Sequence, residues 1–154
     1  MGLNNNKCKN AAYIREYLPY VQQSFYYMLY LAEEEKRYDP VSVLQAFMKT
    51  SEKADYISRG NPRGLNATGK QLYNSIDFTK CRPYAKERSL DVLHWLARVY
   101  PYFQFRYDIP FSDIADNMRA DEVVKLYNPF HEASVSNACA KLKERFYGPH
   151  NRIC

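Results

Sequence analysis

The sequence predicts an all-α, single-domain bundle of about five to seven helices, on three observations. First, residues 13–38 carry two adjacent apolar stripes, Ile14, Leu18, Val21, Phe25, Met28 and Ala32 beside Tyr13, Tyr17, Tyr20, Tyr27 and Leu31. Both step at the three- and four-residue intervals of a helix face, and together they are wider than a surface helix needs, so other helices are expected to pack around this one. Second, similar stripes recur further along and place Leu18, Phe25, Leu44, Phe47, Leu93, Leu96 and Leu142 in one core. Third, only one run alternates with the period of a strand, and a lone strand leaves its backbone unpaired.

Residues 1–10 are rich in Asn and Lys and read as a flexible lead-in, with the helical domain over 11–148 and a tail over 149–154. The first helix starts near Ala11. Pro19 removes a backbone donor inside it, so the helix bends there or a short first segment ends at Leu18. Glu33, Glu34, Glu35, Lys36 and Arg37 read as a solvated terminal turn with its cations at the end the dipole favours.

Asp39-Pro40 is a restart signal, an N-cap acceptor followed by proline in the first turn. The helix it opens buries Val41, Leu44, Phe47, Met48, Ala54 and Ile57 and ends in an irregular Gly/Pro loop near residues 58–69. A short third helix covers residues 70–78, with a turn over 79–83. From Ala85 a long amphipathic pattern runs through Leu90, Leu93, Leu96, Ala97 and Tyr100, and Pro101 ends or kinks it. Phe103, Phe105, Tyr107 and Ile109 then alternate with Gln104, Arg106 and Asp108, so residues 102–109 are expected as a short extended or helical connector. Ser112 is placed as the cap of a short helix, residues 120–127 form another, and the last helix spans residues 132–146 and stops at Gly148-Pro149.

Composition narrows the function classes. The four cysteines, Cys8, Cys81, Cys139 and Cys154, are widely spaced and no signal peptide precedes them, which points to reduced thiols in the cytoplasm. The longest uncharged run, residues 17–32, is too short and too polar to span a bilayer, so no membrane partner is expected. No nucleophile elbow, P-loop or dinucleotide fingerprint is present, and neither a catalytic residue nor a cofactor is assigned. No metal site is assigned either, since only His150 and Cys154 stand close together. His94, on a helix beside Trp95, reads as a packed or hydrogen-bonded histidine.

Charge is the most localised signal. Residues 1–57 hold seven basic and seven acidic groups and residues 89–154 hold eight of each, so the whole net charge of +5 lies in residues 58–88. There Arg59, Arg63, Lys70, Lys80, Arg82, Lys86 and Arg88 interleave with Tyr73 and Tyr84. Cations beside aromatic rings suit phosphates and unstacked bases, so the segment is expected to bind nucleic acid, RNA or DNA, or another polyanion. The structural alternative is a basic face balanced by acids from elsewhere in the fold. A second DNA-binding candidate places Ser134, Ser136, Asn137, Lys141, Lys143 and Arg145 on a recognition helix, although the dozen residues before it exceed a helix-turn-helix turn. The competing class is a helical adaptor or inhibitor that binds an acidic protein through exposed tyrosines such as Tyr26, Tyr27 and Tyr30.

Overall fold

A computed structural model of the protein describes residues 13–148. The lead-in over residues 1–10, the helix start at Ala11, the tail over 149–154, Cys8 and the His150/Cys154 pair lie outside the described residues. Those described are 74% helical and contain no strand. A 3-10 turn, Arg15–Tyr17, leads into α1, Leu18–Glu35. Pro19 sits in the first turn of α1, where its missing N–H costs nothing, so the short-first-segment alternative holds.

Asp39 caps α2, Pro40–Thr50, through Ser42 N–H. The stripe expected to run on to Ile57 is divided at Ser51, whose extended backbone ends α2 and whose hydroxyl accepts from Lys53 N–H to start α3, Glu52–Ser58. The Gly/Pro stretch is more regular than expected. After Gly60, at φ +70°, Asn61 and Pro62 repeat the cap-then-proline device and open α4, Pro62–Leu65. Thr68 and Gln71 then form a capping box for α5, Gly69–Asn74.

After a second 3-10 turn, Phe78–Lys80, residues 81–88 run without helix to α6, Leu90–Tyr107. This helix continues past Pro101, which therefore does not end it, and takes in most of residues 102–109, so the extended alternative for that stretch gives way to helix. The alternation misleads because Gln104, read as outward, is wholly buried between Phe103 and Phe105, its amide donating to Ser58 O at 3.5 Å. Asp108 ends α6 in the left-handed region. Helix α7, Phe111–Asn117, begins before Ser112 and has no side-chain cap. Then follow α8, Ala120–Val123, a 3-10 turn at Val124–Leu126, a kinked turn at Tyr127–Phe130, and α9, Val135–Tyr147, capped by Ser134.

Helix α1 packs against α6, α5 and α2; α2 packs against α7 and α8, and α9 lies on α6. One hydrophobic cluster joins them and includes Phe25, Leu44, Phe47, Leu93, Leu96 and Leu142, with Leu18 buried outside it. Three polar ties fix the α7–α8 corner: Gln45 donates to Ala115 O and accepts from Ala120 N–H, and the buried Tyr100 hydroxyl donates to Met118 O. No described helix is long and apolar enough to cross a membrane. Cys81 and Cys139 are free thiols, and burial pushes both up, Cys81 to about 11.

Candidate functional site

The basic segment is divided by the fold into two sets of residues. Backbone pairing begins the division: Asp39 N–H donates to Arg82 O at 2.9 Å and Tyr84 N–H to Arg37 O at 3.0 Å, which lays residues 82–84 along the start of α2. Arg82 thereby reaches Asp39 at 2.7 Å and both Asp121 oxygens at 2.8 Å. Arg88 donates from Nε to Asp39 Oδ1 at 2.9 Å and from its backbone N–H to Glu33 Oε1 at 3.1 Å. Tyr84 donates to Glu33 Oε2 and Tyr73 to Glu35 Oε1, each at 2.6 Å. Four of the nine expected contact residues, Tyr73, Arg82, Tyr84 and Arg88, are therefore held by acidic groups of the fold itself.

The electrostatics agree with this geometry. Hydrogen bonding to Asp121 and then to Asp39 holds the Arg82 guanidinium above its ordinary pKa, and the same contact holds Asp121 below the usual carboxylate range. The bond to Glu33 pushes the Tyr84 phenol up to about 12. Desolvation, then the bond to Glu35, raises Tyr73 further. Glu33, expected in a solvated turn, is 4% exposed because α1 ends against residues 84–88. Its role could not be read from the triplet Glu33-Glu34-Glu35, whose members differ only in direction.

The remaining basic residues stay at the surface. Arg59 pairs with Asp55 at 2.8 Å across one helical turn, a weak exposed contact. Arg63, Lys70, Lys80 and Lys86 are exposed and make no ion pair among the described residues. In the last helix, Ser134 serves as the cap, Ser136, Asn137, Lys141 and Arg145 are exposed, and Lys143 is half-buried. Lys141 lies over Phe130 and Lys143 over Tyr107. Residues 118–134, with α8 and a kinked turn, intervene before this helix, where a helix-turn-helix has a turn of a few residues.

The tyrosines of α1, by contrast, converge. Tyr27 and Tyr30 stack at 6.0 Å, Tyr26 and Tyr30 lie at 6.3 Å, and Tyr26 meets the edge of His94 on α6 at 5.1 Å. Tyr27 packs its Cβ so close to α5 that a Cβ on Gly69 would stand 2.5 Å from it. Of the three tyrosines expected to be exposed, Tyr27 is exposed on the open side of α1 between α5 and α6, while Tyr26 and Tyr30 are half-buried, Tyr26 because it packs against the core and the edge of His94. Tyr20 and Leu90 extend the face, being 67% and 43% exposed against 46% for Tyr27. Beside them a groove of about 420 Å³ is lined by Pro19, Gln22, Gln23, Tyr26, His94 and Arg98. Sequence reasoning missed Tyr20, Leu90, His94 and Arg98, because Tyr20 falls on an apolar stripe and His94 adjoins a buried Trp95; the structure leaves both exposed. Comparisons of the chain with protein families, curated proteins and solved structures return no match.

Proposed function

We propose that this is a helical binding protein that engages another protein chain through the aromatic face of α1 and α6. The observation that carries the reading is the exposure of Tyr20 and Tyr27 on the open side of α1, with the half-buried Tyr26 and Tyr30 packed ring to ring beside Tyr27. Tyrosine offers a large rigid apolar ring and a polar tip, the combination enriched where protein interfaces bury their energy. The competing set is weakened: Tyr73 is buried, Tyr84 is tethered by its phenol to Glu33, and Arg82 and Arg88 are paired, which weighs against a stacking platform and a full cation track in residues 58–88.

The second reading, contact with nucleic acid or another polyanion, keeps one supporting observation, the exposed Arg63, Lys70, Lys80 and Lys86, which make no ion pair among the described residues. A photo-crosslinking residue in place of Tyr27 separates the two. Protein adducts from position 27, absent from the exposed control position Glu122 and lost on Tyr20→Glu, are expected. No adduct from position 27, together with nucleic-acid binding that survives physiological salt, would move the function to the basic residues.

A further inference from the structure

We infer that the partner this face fits is a second copy of the same chain, related by a two-fold axis that passes close to Tyr27; the inference rests on the protein-binding reading of the α1–α6 face. Tyr20, Gln23, Tyr27, Tyr30 and Glu34 are spaced three, four, three and four residues apart, the interval that keeps one seam of a helix facing a neighbouring helix over two heptads. The seam is open: Tyr20, Gln23, Tyr27 and Glu34 are exposed and Tyr30 is half-buried. An isologous interface requires that residue i meet j and that j meet i. Centred on Tyr27, an antiparallel pairing sets Tyr27 beside the partner's Tyr27, Gln23 within one residue of the partner's Tyr30, and Tyr20 opposite the partner's Glu34. The last pair reproduces the phenol-to-glutamate hydrogen bond that this chain already makes twice, from Tyr73 to Glu35 and from Tyr84 to Glu33.

Charge on the adjoining helix obeys the same symmetry. Helix α6 runs antiparallel to α1, since Gln22 near the start of α1 donates to Arg98 O at 3.0 Å while Arg88, just before α6, donates to Glu33 near the end of α1. Asp91, His94 and Arg98 are exposed and share a stripe beside the tyrosine seam. Its centre is fixed by His94 against Tyr26. The face is thus acidic at one end, through Glu34 and Asp91, uncharged and aromatic in the middle, and basic at the other end through Arg98. A two-fold axis through the middle brings each Arg98 to the partner's Asp91. Lys36 at the acidic end is turned to Glu33 and lies over the Tyr84 ring, so it does not cancel that end. The net charge of +5 on each copy opposes approach at long range, but it is screened beyond roughly 8 Å at physiological ionic strength, whereas the paired groups meet inside that distance.

Sedimentation equilibrium of the full chain at physiological salt tests the inference. The wild type is expected as a concentration-dependent dimer. Tyr27→Glu places two carboxylates at the axis and should give a monomer with unchanged circular dichroism, because the residue is 46% exposed and the substitution keeps the Cβ that packs on Gly69. Arg98→Asp and Asp91→Arg should each weaken the dimer about tenfold, since each converts two symmetric attractions into repulsions, and the double exchange should restore it. A wild type monomeric even at millimolar concentration, a Tyr27→Glu protein that still dimerises, or a double exchange no tighter than its single variants overturns the inference. The photo-crosslinker at position 27 separates this failure from the broader one. Adducts of twice the chain mass support the second copy, adducts with a different protein overturn it while leaving the binding face intact, and no adduct removes both.

Discussion

Asp39 joins local structure to the charge balance of the chain. One carboxylate caps α2 at Ser42 N–H, accepts from Arg82 and Arg88, and is itself 5% exposed, so its removal leaves a helix end and two guanidinium groups short of partners. Asp39→Ala is expected to destabilise the fold by about 3 kcal/mol, the cap contributing about 1 and the broken buried pairs the rest, as read by urea unfolding. Asp121→Ala, at the more exposed rim of the same network, should cost less than about 1 kcal/mol. Because Arg82 depresses the Asp121 pKa in the native state, the Arg82–Asp121 contribution is present above the ordinary value of 3.8 and is lost as pH falls through the depressed one, so the gap between wild type and Asp121→Ala should close on acidification. Asp108 has the opposite sign. It sits at φ +52° at the C-terminal end of α6, where an acid opposes the helix dipole and desolvation raises its carboxyl. Asp108→Asn should therefore stabilise by roughly 0.5 kcal/mol near neutral pH, and the gain should vanish at low pH, where the wild-type carboxyl is protonated in both folded and unfolded chains.

At the scale of elements, legibility followed how local each signal is. Pro40 and Pro19 were placed correctly or as one of two options because a proline in the first turn is a property of two or three adjacent residues. Asn61-Pro62 and Thr68-x-x-Gln71 carry equally local signals, yet they were passed over inside a stretch read as loop for its glycines. The break at Ser51 has a local cap, its hydroxyl accepting from Lys53 N–H, and a second partner supplied by the fold, the Ser75 hydroxyl 2.6 Å away. Burial of Gln104 on α6 is also set by the fold, which brings Ser58 O within 3.5 Å of its amide nitrogen. Gly69 likewise gains its meaning from α1, since a Cβ there would stand 2.5 Å from Tyr27 Cβ and 2.9 Å from Ser24 O. Gly69→Ala is accordingly expected to push α5 off α1 and to cost about 1–3 kcal/mol despite alanine's better helix propensity, measured as a fall in thermal midpoint.

At the scale of the whole molecule, charge position was readable from sequence but charge availability was not. The excess of five in residues 58–88 is a sum along the chain, whereas Arg82 and Arg88 find Asp39, Asp121 and Glu33 only after folding. The tyrosine face was half legible for a related reason: Tyr26, Tyr27 and Tyr30 stand close in sequence, but which of them is exposed depends on how α5 and α6 cover α1, and only Tyr27 of the three is. Polyanion binding by the basic segment then rests on Arg63, Lys70, Lys80 and Lys86, with Arg59 partly engaged by Asp55. Four phosphates neutralised correspond to a slope of log affinity against log salt of roughly −3.6 for duplex and −2.8 for a single strand, so binding should weaken roughly fifty- to a hundred-and-fifty-fold between about 50 and 200 mM salt. Reversing those four cations to Glu should abolish it without unfolding the protein. Reversing Arg82 and Arg88 would confound binding with stability. Tyr84→Phe keeps the ring but loses the phenol bond to Glu33, so it should lower the thermal midpoint. Tyr84→Ala, which removes the ring as well, should leave single-strand affinity unchanged, whereas a base-stacking tyrosine predicts a loss of roughly 1–3 kcal/mol. Titration of labelled duplex and single-stranded RNA and DNA at two salt concentrations measures both quantities, and a steeper slope or a Tyr84→Ala loss confined to single strands, in a variant that remains folded, would return the function to the basic segment.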